Sequence, residues 1–83
     1  MRYAIVIEKS KRNYSAYCPD VPGCVATGRT VAETVQQMKD ALAFHLQGLQ
    51  EDRQSIPDPV TLVEYVDVPV PSSAAPAAKR KAS

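Results

Sequence analysis

Two cysteines and one histidine are the residues of this chain with the most versatile side-chain chemistry. Cys18 and Cys24 lie six residues apart, and His45 follows twenty-one residues later. Three such ligands cannot complete the four-coordinate shell of a structural zinc ion, and a disulfide is disfavoured in a reducing compartment. We therefore predict that both cysteines are small buried core residues and that His45 is a packed side chain rather than a general base. No metal or cofactor is expected.

Charge is unevenly divided along the 83 residues. The formal net charge is +1, but three of the ten cations form the cluster Lys79-Arg80-Lys81. The rest of the chain carries seven cations and nine anions, a charge of −2. Such a body has no broad basic face for phosphate groups, which makes nucleic acid a poor candidate as its partner. The basic cluster is typical of a solubilising end.

Composition also sets the limits of the folding part. Residues 69–83 are rich in Pro, Ala and Ser, which predicts a disordered tail with a basic end. One partner-binding domain is predicted over residues 1–68, small enough that help from a partner or a second copy is expected. No segment reaches the ~18–20 apolar residues of a membrane span, and Glu8 ends the first apolar run too early for a signal peptide. The sequence predicts a cytoplasmic protein without membrane contact.

Alternating apolar residues predict the strands that position these side chains. The predicted strands cover residues 2–8, 14–18, 24–27 and 60–68. The first is apolar on both faces, which favours an inner strand. Residues 19–23 contain two prolines and a glycine and are predicted to form a rigid loop.

A helix is predicted to begin at Thr30. Thr30 and Glu33 have the spacing of a capping box, in which the Thr30 hydroxyl accepts from the Glu33 amide and the Glu33 carboxylate accepts from the Thr30 amide. Phe44 projects roughly opposite the predicted core-facing stripe, and Gly48 is expected to weaken the last turn, near Asp52. The stripe itself follows helical spacing: Val31, Val35, Met38, Leu42, Leu46 and Leu49.

The order strand, strand, strand, helix, strand predicts an α+β fold. The first three strands form an antiparallel meander, so the third runs parallel to the first. A right-handed crossover through the helix then sets the fourth strand beside the first and parallel to it, giving the sheet order 3-2-1-4. The helix covers one face of this sheet, and the other face is predicted to be a site for another chain.

The sequence over residues 14–28 carries a resemblance to a known family. It reads YSAYCPDVPGCVATG and is followed by Thr30, Glu33, KDAL at 39–42 and IPDP at 56–59. Over about residues 3–68 the chain resembles the HicB family of antitoxins. The resemblance implies a partial, degenerate ribonuclease H-like fold. It also implies a role, since HicB-like proteins bind and neutralise HicA, a small ribonuclease that resembles double-stranded-RNA-binding domains, and many repress their own operon.

Two features depart from the family pattern. Arg29 stands where the family commonly has an acidic residue, which changes the local charge ahead of the helix. Family members usually continue into a helix-turn-helix or ribbon-helix-helix domain, whereas this chain continues into residues 69–83, so DNA contact is doubtful. Single-domain relatives without a defined toxin are also grouped with the family.

The ribonuclease H-like resemblance is not expected to extend to catalysis. Two-metal hydrolysis needs carboxylates that converge on ions ~4 Å apart, one of them in the middle of the first strand. Residues 2–7 contain no carboxylate, and Glu8, Asp20, Asp40 and the acids of the last strand are spread over different elements. We predict that the protein is not an enzyme.

These observations predict a non-catalytic, antitoxin-like protein that binds a HicA-type mRNA interferase toxin. It is expected to form a homo-oligomer, a dimer or tetramer, through its sheet face or its fourth-strand edge. The alternative is an oligomeric small regulatory or ligand-binding module without a toxin partner. The candidate partner-binding residues are Tyr17, Asp20, Val21, Pro22, Arg29, Phe44 and Tyr65.

Overall fold

A computed structural model describes residues 1–71 of the chain. The elements are β1 (Val6–Lys9), β2 (Tyr14–Tyr17), β3 (Val25–Gly28) and α1 (Val31–Glu51). The three strands form an antiparallel meander in the order β1-β2-β3, and α1 packs against it. The predicted α+β class and the three-stranded meander are confirmed. The basic cluster of the predicted tail lies outside the described residues.

The strand register gives the sheet two different faces. On the face toward α1, one cross-strand row is made of small and aliphatic side chains, with Ala16 buried at its centre. That row is Ile7, Ala16 and Ala26. Because side chains alternate along a strand, the neighbouring row points away from α1. That row is Val6, Tyr17 and Val25.

The core lies between the sheet and α1. Its fully buried apolar residues are Ala16, Cys18, Val21, Cys24 and Met38. Both cysteines are buried and free, as predicted. Burial raises the pKa of the Cys24 thiol, and the neighbouring Cys18 raises it further, so Cys24 packs as a small neutral side chain.

The start of α1 differs from the predicted capping box in one bond. The Thr30 hydroxyl accepts from the Glu33 amide at 3.0 Å, as expected. The Glu33 carboxylate accepts from the amide of Arg29 at 2.6 Å, not from that of Thr30. The Arg29 guanidinium lies 3.6 Å from the same oxygen, so the carboxylate gains both a hydrogen bond and an ion pair one residue earlier. These contacts hold the pKa of Glu33 below its ordinary value, and the hydrogen bond from the Arg29 amide is the main cause.

The buried face of α1 is rotated from the predicted stripe. Thr34 and Met38 are its fully buried residues, whereas Val31 and Val35 are exposed. The reason is the close approach of α1 to Gly28, where an added Cβ would lie 2.6 Å from Thr34 Oγ1. The Thr34 hydroxyl is satisfied there because it donates to the Thr30 carbonyl at 2.7 Å.

The end of α1 has the bonding pattern of a Schellman motif. The Arg53 amide donates to the Gln50 carbonyl at 3.1 Å, and the Gln54 amide donates to the Leu49 carbonyl at 2.8 Å. Arg53 adopts a φ of 58°, the left-handed conformation for which glycine is usual at this position. The helix therefore ends at Glu51, close to the predicted end, with an arginine in the glycine position.

The predicted fourth strand at residues 60–68 is not found in the described chain. The segment belongs to no strand, and the sheet ends at β1. The sheet of the described residues has three strands, so the fourth strand and the order 3-2-1-4 stay predictions. Hydrogen bonds to side chains outside the segment hold its beginning. Beyond Thr61 the segment lies in solvent, with Leu62 91% exposed and Tyr65 92% exposed. We call residues 60–71 the arm.

Candidate partner-binding surface

The sheet face turned away from α1 carries an exposed apolar row. Tyr17 at its centre is 43% exposed and Val25 at its edge is 66% exposed, while Val6 is half-buried. The next row, Glu8, Ser15 and Thr27, is polar and bounds the patch on one side. A tyrosine flanked by two valines presents a flat apolar surface with one hydroxyl, a combination typical of protein contact sites. We call Val6, Tyr17 and Val25 the outer row.

The loop that follows Tyr17 is held in shape by its own backbone. The Val21 amide donates to the Cys18 carbonyl at 3.1 Å, and the Cys24 amide donates to the Val21 carbonyl at 3.2 Å. These turns bring Val21 into the core, where it is 1% exposed, and leave Pro22 exposed. Because the Val21 side chain fills the core, it is not accessible to a binding partner. Pro22 remains available for contact.

Asp20 binds the arm of its own chain. Its carboxylate accepts hydrogen bonds from the Val60 amide at 3.0 Å, the Thr61 amide at 2.9 Å and the Thr61 hydroxyl at 2.8 Å. The bonds from Thr61 are the main reason that the pKa of Asp20 lies below its ordinary value. The acceptor oxygens that the sequence suggested for a partner are thus occupied within the chain.

Tyr3 provides a second fixed point at the start of the arm. Its hydroxyl donates to the Pro57 carbonyl at 2.5 Å, and partial burial raises the pKa of its phenol. Tyr3 and Asp20 together hold residues 57–61 near the N-terminal end of β1. The Tyr3 contact joins residues separated by 54 positions in the sequence, and the Asp20 contacts join residues separated by 40 and 41 positions. Sequence reasoning missed these contacts because no local signal marks them.

The remaining candidate residues lie on other surfaces. Arg29 is in the connection between β3 and α1, with its side chain 86% exposed. Phe44 is 80% exposed on α1, and Tyr65 projects from the arm. Tyr17 and Phe44 belong to opposite layers of the domain, so one small partner cannot contact both with a flat surface. The structure separates the candidates into an outer-row group, a helix group and an arm group.

Two hollows lie next to residues 1–5. The first has a volume of about 460 Å³ and lies between these residues and one edge of α1, where Val35, Leu42 and Leu46 line it. The second, about 470 Å³, separates residues 2–5 from residues 59–64 of the arm region. We call the first the apolar groove and the second the crevice.

Within residues 1–71 no three His, Cys, Asp or Glu side chains come together in a cluster that could hold a metal ion. His45 is half-buried on α1. Among the described helices, none is long and apolar enough to cross a membrane.

Comparison with known proteins identifies the family. A family model described as the HicB-like antitoxin of bacterial toxin-antitoxin systems matches residues 3–74. The chain belongs to this family. The match confirms the resemblance carried by residues 14–28 and the segments that follow them.

Relatives of this HicB-like chain include proteins from a phage and a cyanobacterium. An uncharacterised 14.9 kDa protein of Haemophilus phage HP1 is 38% identical over 69 residues, which are 83% of this chain and 52% of that protein. A UPF0150 protein of Synechocystis is 28% identical over 67 residues, or 80% of this chain and 85% of that protein. The chain thus spans about half of the phage protein.

A solved structure gives the fold match. A chain of a HicA3 and HicB3 toxin-antitoxin complex superposes with a TM-score of 0.61 at 32% sequence identity. The match covers 69% of this chain and 66% of that one. The HicB-like fold of the meander and helix is therefore shared with a component of a toxin-antitoxin assembly.

Proposed function

We propose that this HicB-like protein is an antitoxin that binds and neutralises a HicA-type mRNA interferase. The observation that carries the proposal is the match, at 32% identity, to a chain of a HicA3 and HicB3 toxin-antitoxin complex. Neutralisation of this kind needs no reaction by the antitoxin, only a stable contact that keeps RNA from the toxin. The proposal therefore depends on a surface, and the outer row with the Pro22 loop is the one we assign to it.

The outer row suits a tight contact because little has to be ordered on binding. Its backbone is fixed in the sheet by pairing of Tyr17 with both Val6 and Val25. The adjoining loop is held by its two backbone hydrogen bonds and by its prolines, so few conformations are lost on association. Tyr17 can bury its ring and keep a hydrogen bond through its hydroxyl, which is the usual behaviour of a tyrosine that dominates an interface.

Charge supports a partner that itself binds RNA. A ribonuclease must attract phosphates and so presents cationic groups. The chain without its basic cluster has a charge of −2, and two of its acids, Glu64 and Asp67, lie on the exposed arm. Opposite net charge accelerates the encounter of two proteins and favours the correct orientation.

Matched substitutions test the assigned surface. Val25→Ser removes an exposed valine from the outer row, and Val31→Ser removes an exposed valine from the edge of α1. With a HicA-type toxin as the partner, we expect Val25→Ser and Tyr17→Ser to weaken binding by about tenfold or more, the effect of an interface centre. Val31→Ser should stay within about twofold of the unchanged protein.

Three results would contradict the proposal or move the surface. Retention of no toxin by the unchanged protein, in calorimetry or co-purification, would remove the antitoxin function. Equal loss of binding in Val25→Ser and Val31→Ser would show that the change acts through folding. Loss of binding in Phe44→Ser alone would transfer the contact to the exposed side of α1.

We further propose that the protein acts in the cytoplasm and without catalysis. Two buried free thiols suit a reducing compartment. RNA incubated with the purified protein and divalent metal should remain intact. Metal-dependent cleavage that disappears in Glu8→Gln would overturn the non-catalytic assignment.

We propose that residues 1–68 are the unit that binds the toxin. The meander, α1, the outer row and the arm up to Val68 all lie within this range. A chain that ends after Val68 should bind the toxin with the affinity of the full chain, as measured by calorimetry. A loss of about tenfold or more would place part of the contact in residues 69–83.

The apolar groove favours a second candidate, a small module that binds an apolar ligand. Its volume of about 460 Å³ falls in the range of small-molecule sites, and it is lined by apolar side chains of α1. Native mass spectrometry of freshly purified protein should then show a bound small molecule that Leu46→Trp excludes. A measured mass equal to that of the chain without a ligand would exclude the ligand-binding candidate, and only the toxin-binding proposal would remain.

We also propose that the protein works as an oligomer. The arm and the outer row expose more large apolar side chains than a domain of this size usually carries in water. Different contacts can use these two surfaces, since one lies on the sheet face and the other beyond the β1 edge.

A further inference from the structure

The arm has the pattern of a strand that is buried on both sides. Along an extended chain, one side carries Leu62, Val66 and Val68 with one acid, Glu64, and the other side carries Val63 and Tyr65 with one acid, Asp67. A strand that faces solvent on one side normally alternates apolar with polar residues, whereas apolar residues on both sides indicate a strand inside a sheet with both faces covered. In the single chain these side chains are instead exposed, with Val66 at 80% and Leu62 at 91%.

The crevice separates two backbone segments that do not pair with each other. Residues 2–5 form one wall and continue into β1, whose outer edge has no strand beside it among the described residues. Residues 59–64 form the other wall, and within residues 1–71 no backbone hydrogen bond joins the two segments. Residues 3–5 are half-buried, and a strand at this edge would give their backbone groups hydrogen-bond partners.

The chain's own arm cannot fill this space. Asp20 binds the amides of Val60 and Thr61 and Tyr3 binds the carbonyl of Pro57, so the start of the arm is fixed as the far wall. A segment that forms the wall of a crevice cannot also be the strand inside it. The strand that pairs with the β1 edge must therefore come from another molecule.

We propose that the arm of a second copy of this chain inserts into the crevice, and that the two copies do so reciprocally. The inference rests on the oligomeric function proposed above and gives its geometry. Each sheet then continues through the dyad in the order β3-β2-β1-arm′-arm-β1′-β2′-β3′, where the prime marks the second copy. The exchange uses the same surfaces on both copies and closes at two, as an isologous dimer does.

Lining and length agree with a second copy as the occupant. The crevice is lined by Tyr3, Ile5, Leu62 and Val63, which suit the apolar side chains of an inserted arm, beside one cation, Arg2, and one anion, Glu64. Residues 62–68 extended at about 3.3 Å each reach about 23 Å, enough to run beside residues 2–5 and along the partner's own arm. Both edges of the inserted segment and both walls of the crevice then gain backbone partners.

Disulfide trapping tests which chain supplies the strand. Ala4→Cys marks one wall, and Leu62→Cys or Val63→Cys marks either face of the arm. The native cysteines are buried and do not compete. When Ala4→Cys chains are unfolded, mixed with arm-cysteine chains, refolded and oxidised, we expect a covalent heterodimer with one of the two arm variants. A protein that carries Ala4→Cys and the arm cysteine in one chain is oxidised in parallel. If it forms a disulfide within single chains while the mixture forms no heterodimer, the chain's own arm pairs with β1 and the proposal is wrong.

Sedimentation equilibrium tests whether backbone pairing holds the dimer. The unchanged protein should have twice its chain mass of 9.0 kDa. Tyr65→Pro removes a backbone donor from the arm, whereas Tyr65→Ala removes only the side chain. The dissociation constant of the dimer should therefore be at least about tenfold higher for Tyr65→Pro than for Tyr65→Ala. Circular dichroism should show the helix signal of α1 unchanged in both variants, because α1 and β1–β3 lie outside the exchanged segment. A monomeric unchanged protein, or equal masses for both variants, would contradict the exchange.

Toxin binding is measured on the same variants to keep the two proposals apart. Tyr17→Ser should weaken toxin binding and leave the mass of the dimer unchanged. Tyr65→Pro should change the mass and leave the contact at the outer row intact. If Tyr65→Pro abolished toxin binding while the dimer persisted, the arm would belong to the toxin contact, and strand exchange would be wrong.

Discussion

The corner between β3 and α1 should reject a methyl group at Gly28. An added Cβ would lie 2.6 Å from Thr34 Oγ1 and 2.7 Å from the Thr34 amide nitrogen, whereas ordinary contact begins at 3.4 Å. Side-chain rotation can move the hydroxyl but not the nitrogen, so the start of α1 must retreat by about 0.7 Å, the difference between those distances. We expect Gly28→Ala to lower the free energy of unfolding by about 2–3 kcal/mol, the upper part of the range for overpacking.

The two other glycines provide matched controls for the same substitution. Gly48 lies inside α1 with nothing within 4 Å of the added Cβ, so Gly48→Ala should raise the free energy of unfolding by about 1 kcal/mol through helix propensity. Gly23 also has open space, but its φ of +84° should make Gly23→Ala cost about 1–2 kcal/mol. The three variants thus separate steric contact, helix propensity and backbone conformation.

Urea unfolding followed by circular dichroism measures the three values. All proteins are compared at one concentration, since the stability of an oligomer depends on concentration. Adding Thr34→Ala to Gly28→Ala should recover only part of the loss, because the contact with the amide nitrogen remains. A Gly28→Ala protein within about 0.5 kcal/mol of the unchanged one, the range of an ordinary surface substitution, would refute the close approach of α1 to β3.

Three further outcomes are expected. The pKa of Asp20 is lowered from 3.8, so its tether to Thr61 is intact above that pH and is lost as the pH falls through the lower folded value; the Thr61 amide resonance in NMR should follow this, and Asp20→Asn should shift it at pH 7. Arg53→Gly should stabilise the chain by about 1 kcal/mol in urea unfolding, because it relieves a left-handed φ at the helix end. Cys24, buried and with a raised pKa, should react with a thiol reagent only when the protein is unfolded.

Local signals in the sequence predicted the local parts of the fold. Alternation gave the meander, and Thr30 with Glu33 marked the start of α1 because both residues act within one helical turn. The rotated face of α1 escaped prediction, since it follows from contact between Gly28 and Thr34 across two layers. The hydrogen bonds between Thr61 and Asp20 could not be predicted either, because no sequence feature near one residue indicates contact with the other.

Residues 60–68 show why a strand pattern does not by itself place a strand in the sheet. Their alternation is that of a strand, but a strand also needs a neighbour, and the sequence does not say which molecule provides it. The sequence could not tell which of the candidate contact residues reach the surface. Tyr17 and Pro22 are exposed, whereas Val21 is in the core because turns of the loop carry it there.

The exposed arm also has a consequence for turnover. Proteases cut exposed segments that lie outside helices and strands, and residues 62–71 are exposed and belong to neither. Cleavage there would not require the meander or α1 to open. A chain with a covered arm would be spared, so the lifetime of this protein in the cell would rise with its own concentration.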